Sequence, residues 1–160
     1  MIWWLVAGIL GGILADRVCI SRVLKKKNDD IEKTKANLLI LEEWIAMYRH
    51  GRRVADVLDE RGIREIAIYG MGILGSHLYQ ELKTSGMSVK YIIDRRPLKG
   101  VYNAEICSPG VELENVDVVI VTPVYQFEEI ERNIRQVNDV LVVSLRELLN
   151  TEASWSETGN

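Results

Sequence analysis

A short apolar run, Ile66-Ala67-Ile68-Tyr69, leads directly into Gly70-Met71-Gly72-Ile73-Leu74-Gly75, after which Leu78 and Leu82 follow Leu74 at helical spacing. Strand, glycine-rich turn and helix in this order constrain the fold more than any other feature, because each glycine has a separate steric job there. Gly70 permits the tight turn, Gly72 lets backbone approach a pyrophosphate, and Gly75 lets the helix pack closely on the sheet. Free amides and the dipole at the helix start favour an anion, so the backbone of Met71, Ile73 and Leu74 belongs to the expected site.

The next strand, Val89-Lys90-Tyr91-Ile92-Ile93, ends at Asp94, 24 residues beyond Gly70. An acid at that place normally accepts hydrogen bonds from ribose hydroxyls, which favours NAD. The adjoining Arg95 is suited to a 2′-phosphate or to stacking on a base, which keeps NADP open. Asp117-Val118-Val119-Ile120-Val121 is a further buried strand with Thr122-Pro123 at its carboxyl end. Beyond it come a helix with Phe127, Ile130, Ile134 and Val137 on one face, and the strand Val140-Leu141-Val142-Val143. Ser144-Leu145-Arg146-Glu147 supplies a capping box for a last short helix. Between Lys99 and Glu114 only a short strand near Glu105-Ile106 and a helix start at Ser108-Pro109 are predicted. The alternation predicts an α/β fold with a parallel sheet of about five strands over residues 62–150, followed by a flexible tail at 151–160. The expected binding set is Gly70, Met71, Gly72, Ile73, Leu74, Gly75, Asp94, Arg95 and Thr122, with no metal site and no catalytic constellation.

Upstream, Ile2 to Ala15 carries no charge, and the apolar character resumes after Asp16-Arg17. The uncharged part spans only ~21 Å as a helix against a hydrocarbon core of ~30 Å. A helix continued to Val23, with Trp3-Trp4 at one interface and Asp16 and Arg17 near the other, makes a workable single span over residues 1–24. Arg17, Arg22, Lys25, Lys26 and Lys27 all follow the uncharged apolar run, so the positive-inside bias places the later domain in the cytoplasm. Ala7, Gly11, Ala15 and Cys19 recur every four residues, which suits either an isolated anchor in lipid or close pairing in a homodimer. Residues 25–61 read as a helical connector that docks onto the domain or pairs with a second copy. Its helix is expected from Lys25 to Arg49, and its later basic residues, Arg49, His50, Arg52 and Arg53, as a solvated charge run. A net charge of -3 argues against nucleic acid as the main partner, and two distant cysteines support neither a disulfide framework nor a zinc site.

Over roughly Gly62 to Asn150 the chain resembles the small Rossmann-like domains of bacterial polysaccharide-biosynthesis proteins, often described as nucleoside-diphosphate-sugar epimerase-like. These are similar to the N-terminal domains of sugar acyltransferases. The resemblance is carried by Ile68-Tyr69-Gly70-Met71-Gly72 with Gly75, by Tyr91-Ile92-Ile93-Asp94-Arg95, by the strand from Asp117 to Thr122 and by Val142-Val143-Ser144-Leu145. It implies binding of NAD, NADP or a UDP-sugar at Gly70, Gly72, Gly75 and Asp94. It supplies no catalytic residues, because the acyltransferase domain and the extra epimerase domain have no counterpart in these residues.

Tyr79 and Lys83 have the YxxxK spacing of short-chain dehydrogenases, but they sit on the helix right after the glycine turn, where those enzymes do not carry the pair. His77 reads as a surface residue and Cys107 as a small apolar filler near the ligand edge. Three function classes follow: a membrane-anchored nucleotide-binding module, accessory or regulatory in envelope polysaccharide synthesis; an enzyme completed by a partner chain; and a ligand-sensing regulatory subunit of an ion transporter.

Overall fold

The computed structural model describes the backbone of residues 2–96 and 102–150, with side chains from Ile20 onward. Five strands, β1 (Glu65–Tyr69), β2 (Ser88–Ile93), β3 (Glu105–Cys107), β4 (Val118–Val121) and β5 (Leu141–Ser144), form one sheet in the order β3-β2-β1-β4-β5. Every neighbouring pair is parallel. The helices are α1 (Ile2–Arg49), α2 (Val54–Glu60), α3 (Ile73–Thr84), α4 (Phe127–Arg135) and α5 (Leu145–Leu149), with a 3-10 turn at Val124–Gln126 before α4.

Successive side chains of a strand point to opposite faces, and both faces are covered here, as parallel sheets require. Ile66, Ile68, Ile92, Val118, Ile120 and Val143 pack with Leu74, Leu78 and Leu82 of α3 and with Leu145 and Leu148 of α5. Ala67, Tyr69, Ile93, Val119, Val121 and Val142 meet Ile130 and Ile134 of α4 on the other side. The continuous apolar runs of β1 and β4 are thus those of central strands, and the predicted five-stranded parallel sheet is present. The capping box is also present: Ser144 Oγ accepts from Arg146 N, and Ser144 N donates to Glu147 Oε2 (3.3 Å each).

One reading needs correction. No helix follows Ser108-Pro109: the chain turns at Gly110, with φ of +90°, and runs on without regular structure to β4. Asn138 takes over the pairing that a helix would have given, its Oδ1 accepting from Leu113 N (2.6 Å) and its Nδ2 donating to Val111 O (3.1 Å). The first helix runs from Ile2 to Arg49, so the helix expected from Lys25 to Arg49 is its C-terminal part.

The chain divides into two compact units, residues 1–38 and 39–160. In the second unit, Ile40, Trp44 and Met47 of α1 are buried in the same core as Leu58 of α2 and Leu78 of α3. Part of the sequence assigned to the connector is therefore core, and a fragment beginning near Arg53 would lose it. The uncharged stretch from Ile2 to Ala15, on which the span was expected, lies outside the residues whose side chains are described, as does the tail at 151–160. Among the described residues no helix is long and apolar enough to cross a membrane.

Asp117 fixes the register of β4 against β1: its Oδ2 accepts from Arg64 N (2.7 Å) and Glu65 N (2.9 Å), and its own N–H donates to Glu65 O (2.8 Å). The amides of Glu65 and Arg64 hold this carboxyl below its usual range. A folded pKa below the unfolded one gives stability that is fully present above about pH 4 and is lost as pH falls through the folded value. Melting temperatures measured between pH 2 and 6 should fall more steeply for the native chain than for Asp117→Asn. Equal slopes would remove Asp117 from the acid transition.

Candidate functional site

In this strand order the crossovers from β1 and β4 lead to opposite sides of the sheet, which opens a crevice at the carboxyl ends of those two strands. The glycine turn and Thr122-Pro123 form its two walls. Gly70 N donates to Ile93 O (2.8 Å), and Thr122 N donates to Tyr69 O (3.0 Å), so the turn is tied to both neighbouring strands. The buried Thr122 hydroxyl shares its proton between Gly70 O (2.7 Å) and Tyr69 O (3.2 Å). Thr122 accordingly acts as a clamp on the turn, and a direct ligand contact by its hydroxyl proton would compete with that clamp.

The three glycines differ in what surrounds them. Gly70 has φ of +91°, and a Cβ there would meet Pro123 at 2.8 Å. A Cβ on Gly75 would lie 1.9 Å from Gly70 O, so the turn and the first turn of α3 touch backbone to backbone. At Gly72 the backbone is extended, and no heavy atom lies within 4 Å of the Cβ position. The fold itself accounts for Gly70 and Gly75. It places no steric demand on Gly72, where the crevice is open.

Gly72 is the N-cap of α3 and has no side chain to satisfy the amides that follow. Ser76 N makes the first bond back, to Gly72 O (3.0 Å), so the amides of Ile73, Leu74 and Gly75 precede the helical ladder. Met71 and Leu74 point their side chains into the core, leaving only backbone for a ligand, whereas Ile73 is 62% exposed at the rim. This array of N–H groups at a helix start can hold a phosphate without any cationic side chain.

Asp94 is brought to the same turn, in a role that spacing did not reveal. Its Oδ2 accepts from Met71 N (2.7 Å) and its Oδ1 from Arg96 N (2.8 Å), with Arg96 Nε at 3.5 Å. The carboxylate first latches β2 to the glycine turn, and its remaining lone pairs are what it has to offer a ribose hydroxyl. Arg95 is exposed beside it. Arg96, absent from the expected set, takes part through its amide; the motif reading had no signal for it, since a backbone donor depends on the local turn and not on residue type.

The other chemistry-bearing residues lie elsewhere. The Tyr79 ring is buried, stacked edge-on against Tyr102 with centroids 5.3 Å apart, and its hydroxyl accepts from Asn103 N (2.8 Å). Lys83 is exposed. Burial, then the charge of Glu105, raises the Cys107 thiol pKa, which disfavours the thiolate. His77 lines a groove of about 420 Å3 with Trp44, Tyr48 and Glu81, between α3 and the end of α1.

Comparison of the chain with protein-family models, with curated proteins and with solved structures gives no match.

Proposed function

We propose that the protein is a nucleotide-binding module whose ligand lays a diphosphate across the glycine turn, as NAD, NADP or a nucleotide sugar would. The observation that carries this reading is the contrast among the glycines: Gly70 and Gly75 are demanded by packing, while the space above Gly72 is open, at a helix start that no side chain caps. The amides of Ile73 and Leu74 would hold the phosphates, Asp94 would accept from a ribose, and Arg95 would meet a 2′-phosphate or a base. The bound group would supply whatever redox or sugar chemistry a partner uses; residues 70–75 and 94 supply binding and orientation.

The likeness to polysaccharide-biosynthesis domains supports an accessory or regulatory place in envelope polysaccharide synthesis. The uncharged run from Ile2 to Ala15, with basic residues only after it, supports anchoring as a single span with the nucleotide-binding domain in the cytoplasm. Native mass spectrometry of the full chain purified from cells tests the first part, and should find an added mass equal to NAD, NADP or a nucleotide sugar. A carbonate wash tests the second, since the full chain should stay with membranes and a chain lacking residues 1–24 should not. Release of the intact chain by salt alone would replace the span by peripheral attachment through lysines.

A further inference from the structure

We infer that residues 20–38 of α1 pair with the same segment of a second copy of this chain, as a parallel two-stranded coiled coil. Residues 1–38 form a compact unit of their own, and its described part exposes large apolar side chains: Ile20 is 58% exposed, Leu24 61%, Ile31 44% and Leu38 57%. An isolated helix is marginal in water, and its stability ordinarily comes from packing one apolar face. Leu24, Ile31 and Leu38 are spaced seven apart, and in sequence the same count reaches Ile45. A seven-residue repeat keeps a seam facing a partner only if two helices supercoil around each other.

With Leu24, Ile31 and Leu38 at the first core position of each heptad, Ile20, Lys27 and Thr34 occupy the second. Polar residues there cost stability but fix register, which suits self-recognition more than promiscuous apolar contact. The flanking charges select both occupant and direction. Asp30 and Lys35 occupy the flanking positions that meet across a parallel pair, so Asp30 of each copy faces Lys35 of the other, twice by symmetry. In an antiparallel pair, like flanking positions meet, and Lys35 would face only Asn28 or another Lys35. Within its own helix Lys35 holds Glu32 at 3.0 Å, an exposed pair that is easily exchanged.

Single cysteines in the full chain, in a background carrying Cys19→Ser and Cys107→Ser, test this by mild oxidation. Leu24→Cys and Leu38→Cys should each cross-link to twice the chain mass, while Asp29→Cys, on the outer face, should not. Asp30→Lys should weaken association about fourfold, and adding Lys35→Asp should restore it. Three results would overturn the inference: no cross-link from either leucine position, cross-linking only between Leu24→Cys and Leu38→Cys chains when mixed, or equal cross-linking at Asp29. A dimer insensitive to Asp30→Lys would overturn the parallel pairing.

Discussion

Gly75→Ala is expected to destabilise the protein by about 3 kcal/mol or more, lowering the melting temperature by roughly 10 °C. The sign is what makes the experiment informative. Inside a helix, glycine to alanine ordinarily stabilises by about 1 kcal/mol through helix propensity. Here the new Cβ would fall 1.9 Å from the backbone oxygen of Gly70, an atom held by the Thr122 hydroxyl and unable to rotate away. Relief requires α3 to move off β1, opening the packing of Leu74 and Leu78 against Ile66 and Ile68. Gly72→Ala, three residues earlier, meets nothing within 4 Å and should stay within about 1 kcal/mol of the native chain. Thermal melts of the two variants side by side decide the matter, and a Gly75→Ala protein more stable than the native one would contradict the contact.

Glu81→Ala is expected to cost about 3–5 kcal/mol, because it strands donors that the fold has buried around one carboxylate. Glu81 is 6% exposed. Its Oε2 accepts from Trp44 Nε1 (2.9 Å) and from the Tyr48 hydroxyl, and its Oε1 from Ala55 N (3.2 Å). One side chain on α3 thereby fastens the end of α1 and the start of α2. Glu81→Gln keeps one acceptor oxygen and should lose about half as much, since Tyr48 can reverse its hydroxyl and accept from the amide. Urea titration followed by tryptophan fluorescence measures both losses, and an alanine variant within 1 kcal/mol of native would show that these donors find other partners. Burial first, and then Glu81, push the Tyr48 hydroxyl up to about 12 from the usual 10. A raised folded pKa gives stability that is present below pH 10 and fades as pH rises through 12, so the native chain should lose stability over that window.

The features legible in the sequence were those set by local pattern. β1 and β4 read as uninterrupted apolar runs because both their faces are covered, and the glycine turn announced itself because backbone contact admits no side chain at Gly70 or Gly75. What escaped were pairings made across the chain. Asp94 was recognised by its place at a strand end, but its latch to Met71 N depends on how β2 meets the turn, which spacing does not encode. Nothing in the local pattern marks Glu81, since its partners lie 26 to 37 residues away. Ser108-Pro109 carried a valid helix-start signal, and Gly110 with the side chain of Asn138 overrode it. Trp44 belongs to the stretch read as docking onto the domain or pairing with a second copy, and which of its neighbours would be buried, Trp44 itself but not the adjacent Ile45, is set by the packing partners and not by the periodicity.

The open space at Gly72 is the center of the functional account, and calorimetric titration of the full chain addresses it most directly. NAD, NADP, a UDP-sugar and ATP are each titrated into the native protein and into Gly72→Val, with a melt recorded for both. The expected result is saturable heat with at least one dinucleotide or nucleotide sugar, lost in Gly72→Val while the melting temperature holds within a few degrees, because the valine fills ligand space and not protein space. Absence of heat with all four ligands, or equal binding by Gly72→Val, would contradict the assignment of the glycine turn as a nucleotide site.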